Sequence, residues 1–211
     1  MKEKVEFDLS CLKEGEKYIV GVDEVGRGPL AGPVVCCAVI MPLSEEDIID
    51  GVDDSKKVSE KKRLLLDEKI REKAISYCIC EVSSKEIDEM NILSATKYCM
   101  KKCVEGLSVK PDAVIIDAVD IDVNYRKVIT VKGDLKSYSV GAASIVAKVY
   151  RDNLMVEYSK IYPQYAFEKN KGYGTKEHIN AIKEIGTCPI HRKTFVKNFS
   201  VKKENEQLSL L

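Results

Sequence analysis

Apolar and polar residues follow one another along this chain in a pattern that predicts five strands separated by helices. Short apolar runs typical of strands cover residues 18–25, 34–41, 76–82, 113–117 and 127–131. Apolar residues recur at helical spacing over residues 59–74, 91–104, 140–160 and 176–185. Strands that alternate with helices predict an α/β fold with parallel or mixed strand pairing.

Local signals refine these elements. Ser83, with Glu86 three residues later, predicts the capped start of a short helix. The residues expected to face inward on the first two long helices are Leu65, Leu66, Ile70, Ala74, Ile92, Ala95, Cys99 and Cys103. The helix over 140–160 has an apolar side (Ala142, Ile145, Val149, Leu154) and a polar side (Ser144, Lys148, Arg151, Asp152). The stretch 162–175 is predicted to be a polar, aromatic loop.

The composition is that of a globular protein: of 211 residues, 45% are hydrophobic and 32% are charged. Because no repeat or linker divides the chain, we predict one domain over residues 1–200 and a flexible tail over 201–211. No apolar run approaches the ~18 residues of a membrane helix, and the N-terminus lacks an apolar signal segment. We therefore expect a cytoplasmic protein with no membrane contact, and nothing requires more than a monomer.

Charge is balanced overall, with 34 basic and 34 acidic residues, but it is unevenly distributed. Residues 1–125 hold 18 basic and 26 acidic side chains, whereas residues 126–211 hold 16 and 8. This asymmetry is compatible with a surface for a polyanion in the second half and equally with ordinary solvated charge.

Eight cysteines raise the possibility of disulfides or a zinc site. None are spaced C-x-x-C, and the chain has only two histidines. Four of the cysteines stand in strand-like apolar runs, namely Cys36, Cys37, Cys78 and Cys80. We therefore predict that the cysteines are buried free thiols.

Four carboxylates stand where predicted strands end. Asp23 and Glu24 close the first strand, Asp117 closes the fourth, and Asp134 follows the fifth. Ligands of open α/β sheets gather at the carboxyl ends of strands, so these side chains can meet. Grouped carboxylates repel one another unless a hard cation neutralises them, and oxygen ligands favour Mg²⁺ or Mn²⁺. Taken singly, the same residues are also compatible with turn and helix-cap roles.

One geometric condition applies to this site. Adjacent strand residues point to opposite faces, so Asp23 and Glu24 can share a metal only if the strand bends there. The glycines that follow make such a bend plausible.

Six motifs, in order, resemble those of bacterial ribonuclease HII. They are VDEVGRGPLAGPV (22–34), DSKK (54–57), VIIDA (114–118), VKGDLKS (131–137), GAASIVAKVYRD (141–152) and KGYGTKEH (171–178). The resemblance spans roughly residues 17–200. It implies a ribonuclease H-like α/β fold, with a mixed central sheet flanked by helices and a C-terminal helical segment.

The resemblance also implies an activity. It points to an endonuclease that hydrolyses the RNA strand of RNA–DNA hybrids and incises 5′ of single ribonucleotides in duplex DNA. By motif position, the catalytic and metal-binding residues would be Asp23, Glu24, Asp117 and Asp134. A pair of Mg²⁺ or Mn²⁺ ions, complete only with substrate bound, would leave 5′-phosphate and 3′-hydroxyl ends.

Residues for substrate binding follow from the same motifs. For the ribonucleotide they are Gly26, Arg27, Gly28 and Tyr173. For the phosphates they are Lys56 and Ser144. The alternative is that Lys56 is merely exposed to solvent and that Ser144 only eases helix packing. The chain departs from the family pattern at Asn170, where members commonly carry histidine. It departs again in the segment after Asp117, where Asp120 and Asp122 are further acids that could be mistaken for members of the site.

The end of the chain carries a further short motif. The five residues QLSLL, which begin at Gln207 and end at Leu211, resemble the peptide by which bacterial repair enzymes bind the sliding clamp. A frayed terminus is the alternative.

Three other classes of protein compete with this interpretation. A phosphoacceptor receiver also uses an acidic pair and a later aspartate, but Asp117 lies too far along the chain from Glu24 for that fold. A related ribonuclease H with an additional N-terminal domain would need more than the 22 residues that precede Asp23. A non-catalytic hybrid-binding protein would not need four grouped carboxylates.

Overall fold

A mixed five-stranded sheet forms the centre of the molecule. The computed structural model describes residues 1–52, 58–117 and 119–199. Its strands are β1 (Ile19–Val25), β2 (Val34–Ile40), β3 (Ser76–Val82), β4 (Ala113–Asp117) and β5 (Arg126–Thr130). Their order is β3-β2-β1-β4-β5, with β1–β2 and β2–β3 antiparallel and β1–β4 and β4–β5 parallel. The predicted strands and mixed pairing are confirmed.

Helices cover both faces of this sheet. They are α1 (Lys2–Ser10), α2 (Glu60–Lys73), α3 (Ser84–Met90), α4 (Ile92–Glu105), α5 (Gly133–Lys136), α6 (Tyr138–Ile161), α7 (Phe167–Asn170), α8 (Lys176–Ile185) and α9 (Lys193–Val196). The capping box of Ser83 and Glu86 is present at the start of α3. No helix in the described part of the chain is both long and apolar enough to span a bilayer.

Alternate residues of each strand face two different cores. On one face, Cys37 and Val39 of β2 pack with α6 and α2, whereas on the other Cys36 and Ala38 pack with α4. The helix α6 crosses β1 at Gly21, where an added Cβ would lie 2.2 Å from the backbone of Ser139. This close crossing places the first turns of α6 beside the carboxyl end of β1.

The structure corrects several local predictions. Leu65 is 53% exposed, because α2 packs inward through Leu66 and Ile70 instead. Leu154 is only half-buried, and the neighbouring Met155 fills the core in its place. The predicted loop over 162–175 contains two helical turns, at Pro163–Tyr165 and Phe167–Asn170.

The helix α1 was not predicted from the sequence. Only Val5 and Asp8 are buried along it, so it has no continuous apolar side to produce a helical pattern. Asp8 instead accepts a hydrogen bond from the backbone N–H of Ser139, at the start of α6. This polar contact to a distant part of the chain, together with the burial of Val5 in the core, therefore holds α1 in place.

All eight cysteines are free thiols, as predicted, but not all are buried. Cys36, Cys37, Cys99 and Cys103 lie in the core, whereas Cys11, Cys78, Cys80 and Cys188 are half-buried. Cys78 and Cys80 are on β3, which forms an edge of the sheet and is less completely buried than β2.

Candidate active site

The strand ends that carry the predicted carboxylates lie next to one another. Val22 of β1 pairs with Ile116 of β4, so Asp23 and Asp117, which follow them, end adjacent parallel strands. Asp117 in turn pairs with Thr130 of β5, and α5 begins shortly after β5 and contains Asp134. Three strand ends thus deliver acids to one edge of the sheet.

These acids line a single cavity of about 300 Å³. Its lining residues are Asp23, Glu24, Val25, Asp117, Asp134, Ser144, Lys148 and Tyr173. The structure therefore brings together all four predicted carboxylates and two of the predicted substrate-binding residues. Lys56 lies outside the described residues.

The predicted bend in β1 does not occur before Glu24. The strand continues through Val25, and the chain turns only at Gly26, which has φ +94°. Asp23 and Glu24 nevertheless line the same cavity. They lie beyond the last pair of β1 with β4, although both still pair with residues of β2.

The negative charge in this cavity is incompletely compensated. Desolvation, followed by the charge of Glu24, raises the pKa of Asp23 well above its usual value. Desolvation also raises the pKa of Glu24, although the guanidinium of Arg27 opposes it. The Oδ1 atom of Asp117 is buried and has no hydrogen-bond partner within the described structure. A buried oxygen without a donor is costly unless a ligand satisfies it.

Hard divalent cations fit this set of donors. Carboxylate oxygens are the ligands that Mg²⁺ and Mn²⁺ prefer, and Asp117 has an oxygen to spare. Across residues 1–52, 58–117 and 119–199, however, no three His, Cys, Asp or Glu side chains form a ready cage for one ion. Such a site would therefore need oxygens from water or from a bound phosphate to complete the coordination of an ion.

Predicted ribonucleotide-binding residues border the cavity. The ring of Tyr173, which is 44% exposed, lies 3.8 Å from the position of a Cβ built on Gly28. Arg27 extends back to Glu24, with 3.3 Å between its Nη1 and the Oε1 of Glu24. The segment of Gly26, Arg27 and Gly28 and the ring of Tyr173 thus share one rim of the cavity.

Two buried arginines bind the backbone of this rim from inside the protein. Arg151 donates to the carbonyls of Pro33, Ala31 and Lys171 at 3.0, 3.1 and 2.9 Å. Arg192 donates to the carbonyls of Gly32, Arg27 and Gly26 at 3.0, 2.9 and 2.5 Å. Neither side chain has exposed surface, and burial lowers the pKa of Arg192 to about 9. We call this pair the arginine anchor.

Two histidines fix the backbone of Tyr173. The N–H of Cys188 donates to Nδ1 of His191, so the proton of His191 is on Nε2 and is donated to Nε2 of His178 at 3.0 Å. His178 therefore carries its proton on Nδ1 and donates it to the carbonyl of Tyr173 at 2.8 Å. Burial lowers the pKa of both rings, and that of His191 falls to about 4.

The polar side of α6, which the sequence predicted, lies close to the site. On the polar side of α6, Lys148 lines the cavity and its Nζ lies 2.6 Å from Asp152, which also contacts Arg63 at 3.3 Å. This side faces protein rather than solvent, and Arg151 is fully buried. The role of Arg192 was missed, because one arginine in the sequence carries no signal of burial.

The departures from the family pattern have structural explanations. Asn170 donates to the carbonyl of Tyr165 at 2.6 Å and accepts from the N–H of Gly172 at 2.8 Å, so it shapes the loop that presents Tyr173. Asp120 and Asp122 form surface ion pairs with Lys127 and Lys101 and do not line the carboxylate cavity.

This fold, with strand-end carboxylates around one cavity, defines a nuclease of the ribonuclease H class. The family model described as Ribonuclease HII matches residues 20–199. A ribonuclease HII of Caldicellulosiruptor saccharolyticus is 53% identical over 194 residues, which cover 92% of this chain and 94% of that protein. The chain belongs to the ribonuclease HII family, and it is accordingly a ribonuclease H that acts on RNA–DNA hybrids.

Solved structures agree with this assignment. The ribonuclease H2 of Pyrococcus horikoshii matches with a TM-score of 0.73 and 26% identity, over 87% of this chain and 97% of that one. The ribonuclease HII in the PCNA:RNase HII complex of Archaeoglobus fulgidus matches with a TM-score of 0.75 and 25% identity, over 89% and 98%. The receiver and the non-catalytic binding protein, considered as alternatives, are therefore wrong.

Proposed function

We propose that the carboxylate cavity hydrolyses the phosphodiester bond on the 5′ side of a ribonucleotide, both in RNA–DNA hybrids and at single ribonucleotides embedded in duplex DNA. The observation that carries this proposal is the grouping of Asp23, Glu24, Asp117 and Asp134 around one cavity with a buried, unsatisfied oxygen on Asp117. Four neighbouring acids make it harder for one another to ionise, so their grouping does not stabilise the fold by itself. It does provide the oxygen ligands that a divalent cation needs.

The four carboxylates would hold Mg²⁺ or Mn²⁺, one ion weakly in the free protein and two with substrate bound. When bound, the ions supply an activated water and neutralise the charge that develops on the phosphate and on the leaving 3′-oxygen. The products would carry 5′-phosphate and 3′-hydroxyl ends. Lys148, held by Asp152 at the cavity wall, adds a positive charge where a phosphate oxygen would lie.

Recognition of the ribonucleotide is assigned to the rim. Backbone groups of Gly26, Arg27 and Gly28 can approach a 2′-hydroxyl closely because the two glycines lack side chains. The exposed ring of Tyr173 offers a flat surface for the sugar beside it. Ser144 at the cavity wall is proposed to contact a backbone phosphate. Lys56 has the same proposed role, on sequence grounds alone.

Asp117→Asn tests the proposal most directly. Replacing one carboxylate oxygen by an amide should reduce cleavage by about a hundredfold or more in saturating Mg²⁺, because a metal ligand is lost. The measurement is cleavage of a DNA duplex with one ribonucleotide, with end analysis of the products. Asp120→Asn is the matched control, since Asp120 lies just after the same strand but outside the cavity. Near-normal cleavage by folded Asp117→Asn would contradict the proposal.

The C-terminal peptide at residues 207–211 is proposed to bind the sliding clamp. It lies outside the described residues, and two observations support the proposal. One is the sequence QLSLL itself, and the other is that the related ribonuclease HII of Archaeoglobus fulgidus forms a complex with PCNA. Deleting these five residues should weaken capture of the chain by immobilised bacterial clamp and leave cleavage unchanged. Equal capture of the full and shortened chains would remove this part of the proposal.

A further inference from the structure

The N-terminal helix α1 lies against the part of the chain that carries Asp134. It spans Lys2–Ser10 and precedes residues 20–199, which the ribonuclease HII family model matches. None of its residues is among those that line the carboxylate cavity in the described part of the chain. The roles proposed above therefore leave α1 without a part in the reaction.

One side chain of α1 contacts the backbone of Asp134. The Nζ atom of the half-buried Lys4 donates to the carbonyl oxygen of Asp134 at 2.7 Å, across 130 residues of the chain. A Cβ built on Gly141 of α6 would lie 3.5 Å from the same oxygen and 3.9 Å from Nζ of Lys4. The helices α1, α5 and α6 therefore meet at the carbonyl of Asp134.

Asp134 lies in a helix that is too short to be stable by itself. α5 has four residues, and Lys132 at its N-cap makes no side-chain capping hydrogen bond within the described structure. The N–H of Ser137 closes the helix on the carbonyl of Gly133 at 2.8 Å, and the chain is extended at Ser137. The last carbonyls of a helix need donors from outside it, and lysine side chains commonly supply them. Lys4 is such a donor for Asp134, from an element that is distant in the sequence.

A second contact from α1 holds the helix that follows α5. Asp8 is four residues after Lys4 and therefore lies on the same side of α1. It is fully buried, and its carboxylate accepts a hydrogen bond from the N–H of Ser139, in the first turn of α6, at 2.8 Å. Val5, between these two residues, is buried in the core. One side of α1 thus holds the junction of α5 and α6 at two points.

We propose that Lys4 is a positioning residue for Asp134. By donating to the carbonyl, Lys4 fixes the backbone from which the side chain of Asp134 reaches the cavity, and it so strengthens the binding of a divalent cation by the free chain. Lys4 itself does not line the cavity, so it acts through Asp134 and not on the cation or the substrate. The inference rests on the proposed function, in which Asp134 is a ligand of the cation.

Binding of Mn²⁺ to the free chain tests the proposal. Electron paramagnetic resonance measures the unbound ion during a titration, and urea unfolding identifies the conditions in which each variant is folded. Lys4→Met removes the donor and keeps a side chain of similar length. Its dissociation constant for Mn²⁺ should rise about tenfold, as is typical when a partner of a metal ligand is lost. Lys2→Met is the matched control and should bind as the natural chain does, because Lys2 is an exposed residue of the same helix.

The Mg²⁺ dependence of cleavage provides a second measurement. Lys4→Met should need about ten times more Mg²⁺ than the natural chain for its half-maximal rate, and its rate in saturating Mg²⁺ should change less. Lys4→Arg retains a charged donor and should keep most of the affinity for Mn²⁺. If Lys4→Met does not fold, Lys4→Gln, whose side chain is uncharged and one bond shorter, is measured in its place.

Asp134→Asn separates a failure of this proposal from a failure of the proposed function. If Asp134 is a ligand, Asp134→Asn binds Mn²⁺ more weakly, and adding Lys4→Met should cause no further loss, because Lys4 acts through Asp134. Affinity that falls in Asp134→Asn but not in folded Lys4→Met would overturn the role of Lys4, as would a further loss in the double variant. Unchanged affinity in Asp134→Asn would instead contradict the role of Asp134 in the proposed function, and the inference with it.

Discussion

The carboxylate cavity and the arginine anchor lie on either side of the Gly26–Arg27–Gly28 segment and treat charge in opposite ways. Each guanidinium of the anchor donates three hydrogen bonds to backbone carbonyls and has no exposed surface. In the cavity, Asp117 keeps a buried oxygen with no partner in the described structure, and Asp23 and Glu24 have raised pKa values.

This difference distinguishes charges that stabilise the fold from charges that are available to bind a ligand. Removing a charge from water costs several kcal/mol unless the protein replaces its hydration. The chain itself provides that replacement for Arg151 and Arg192, so they complete the fold. It does so only in part for the carboxylates: Glu24 contacts Arg27, but Asp117 keeps a buried oxygen without a partner in the described structure, and a cation and a substrate would supply the rest. Both regions are needed at once, because the anchor positions the rim next to which the carboxylates would act.

The largest expected effect concerns the anchor. Arg192→Met should lower the free energy of unfolding by about 3–5 kcal/mol, because the carbonyls of Gly26, Arg27 and Gly32 lose their donor inside the protein. Urea unfolding measures this change. Asp117→Asn serves as the comparison and should cost little stability, since its Oδ1 has no hydrogen bond to lose. Similar losses of unfolding free energy in Arg192→Met and Asp117→Asn would show that the anchor and the cavity do not differ in this way.

A smaller effect is expected from the cation. Mg²⁺ at a hundred times its dissociation constant should stabilise the natural chain by about 2.7 kcal/mol, because it binds the folded state only. Unfolding with and without Mg²⁺ measures this gain. The gain should be lost in Asp117→Asn and kept in Asp120→Asn, whose carboxylate pairs with Lys127 at the surface. An equal gain in both variants would place the ion elsewhere.

The smallest effect for a single change of conditions is a pH dependence on the anchor side of the rim, taken per pH unit. The pKa of His191 is about 4 in the folded chain and 6.5 in its ordinary state, so the unfolded chain binds more protons between these values. The contribution of neutral His191 to the free energy of unfolding is complete above pH 6.5. It is lost as the pH falls towards 4, by at most about 1.4 kcal/mol per pH unit. The difference in unfolding free energy between the natural chain and His191→Asn, measured from pH 7.5 to 4.5, isolates it. A difference that does not change with pH would show that His191 is not held neutral.

Much of the fold was predictable because its signals are local. The apolar runs, the capping box at Ser83 and the helical periodicity over 140–160 each depend on residues within one or two turns of each other, and all three are confirmed. Predictions were wrong where packing chooses among neighbours of similar polarity. Leu65 and Leu66 are equally apolar, and only the position of α2 on α6 decides that Leu66 is buried.

The sequence by itself determined the order of strands and helices, the position of each carboxylate at a strand end, and the motifs of the family, because these depend on short-range patterns. Only the tertiary structure decided which charges are satisfied. Arg192 reaches the carbonyl of Gly26 across 166 residues, and Cys103 reaches Cys36 across 67. Whether a polar group is compensated depends on what surrounds it in space, and residues far apart in the chain provide those surroundings.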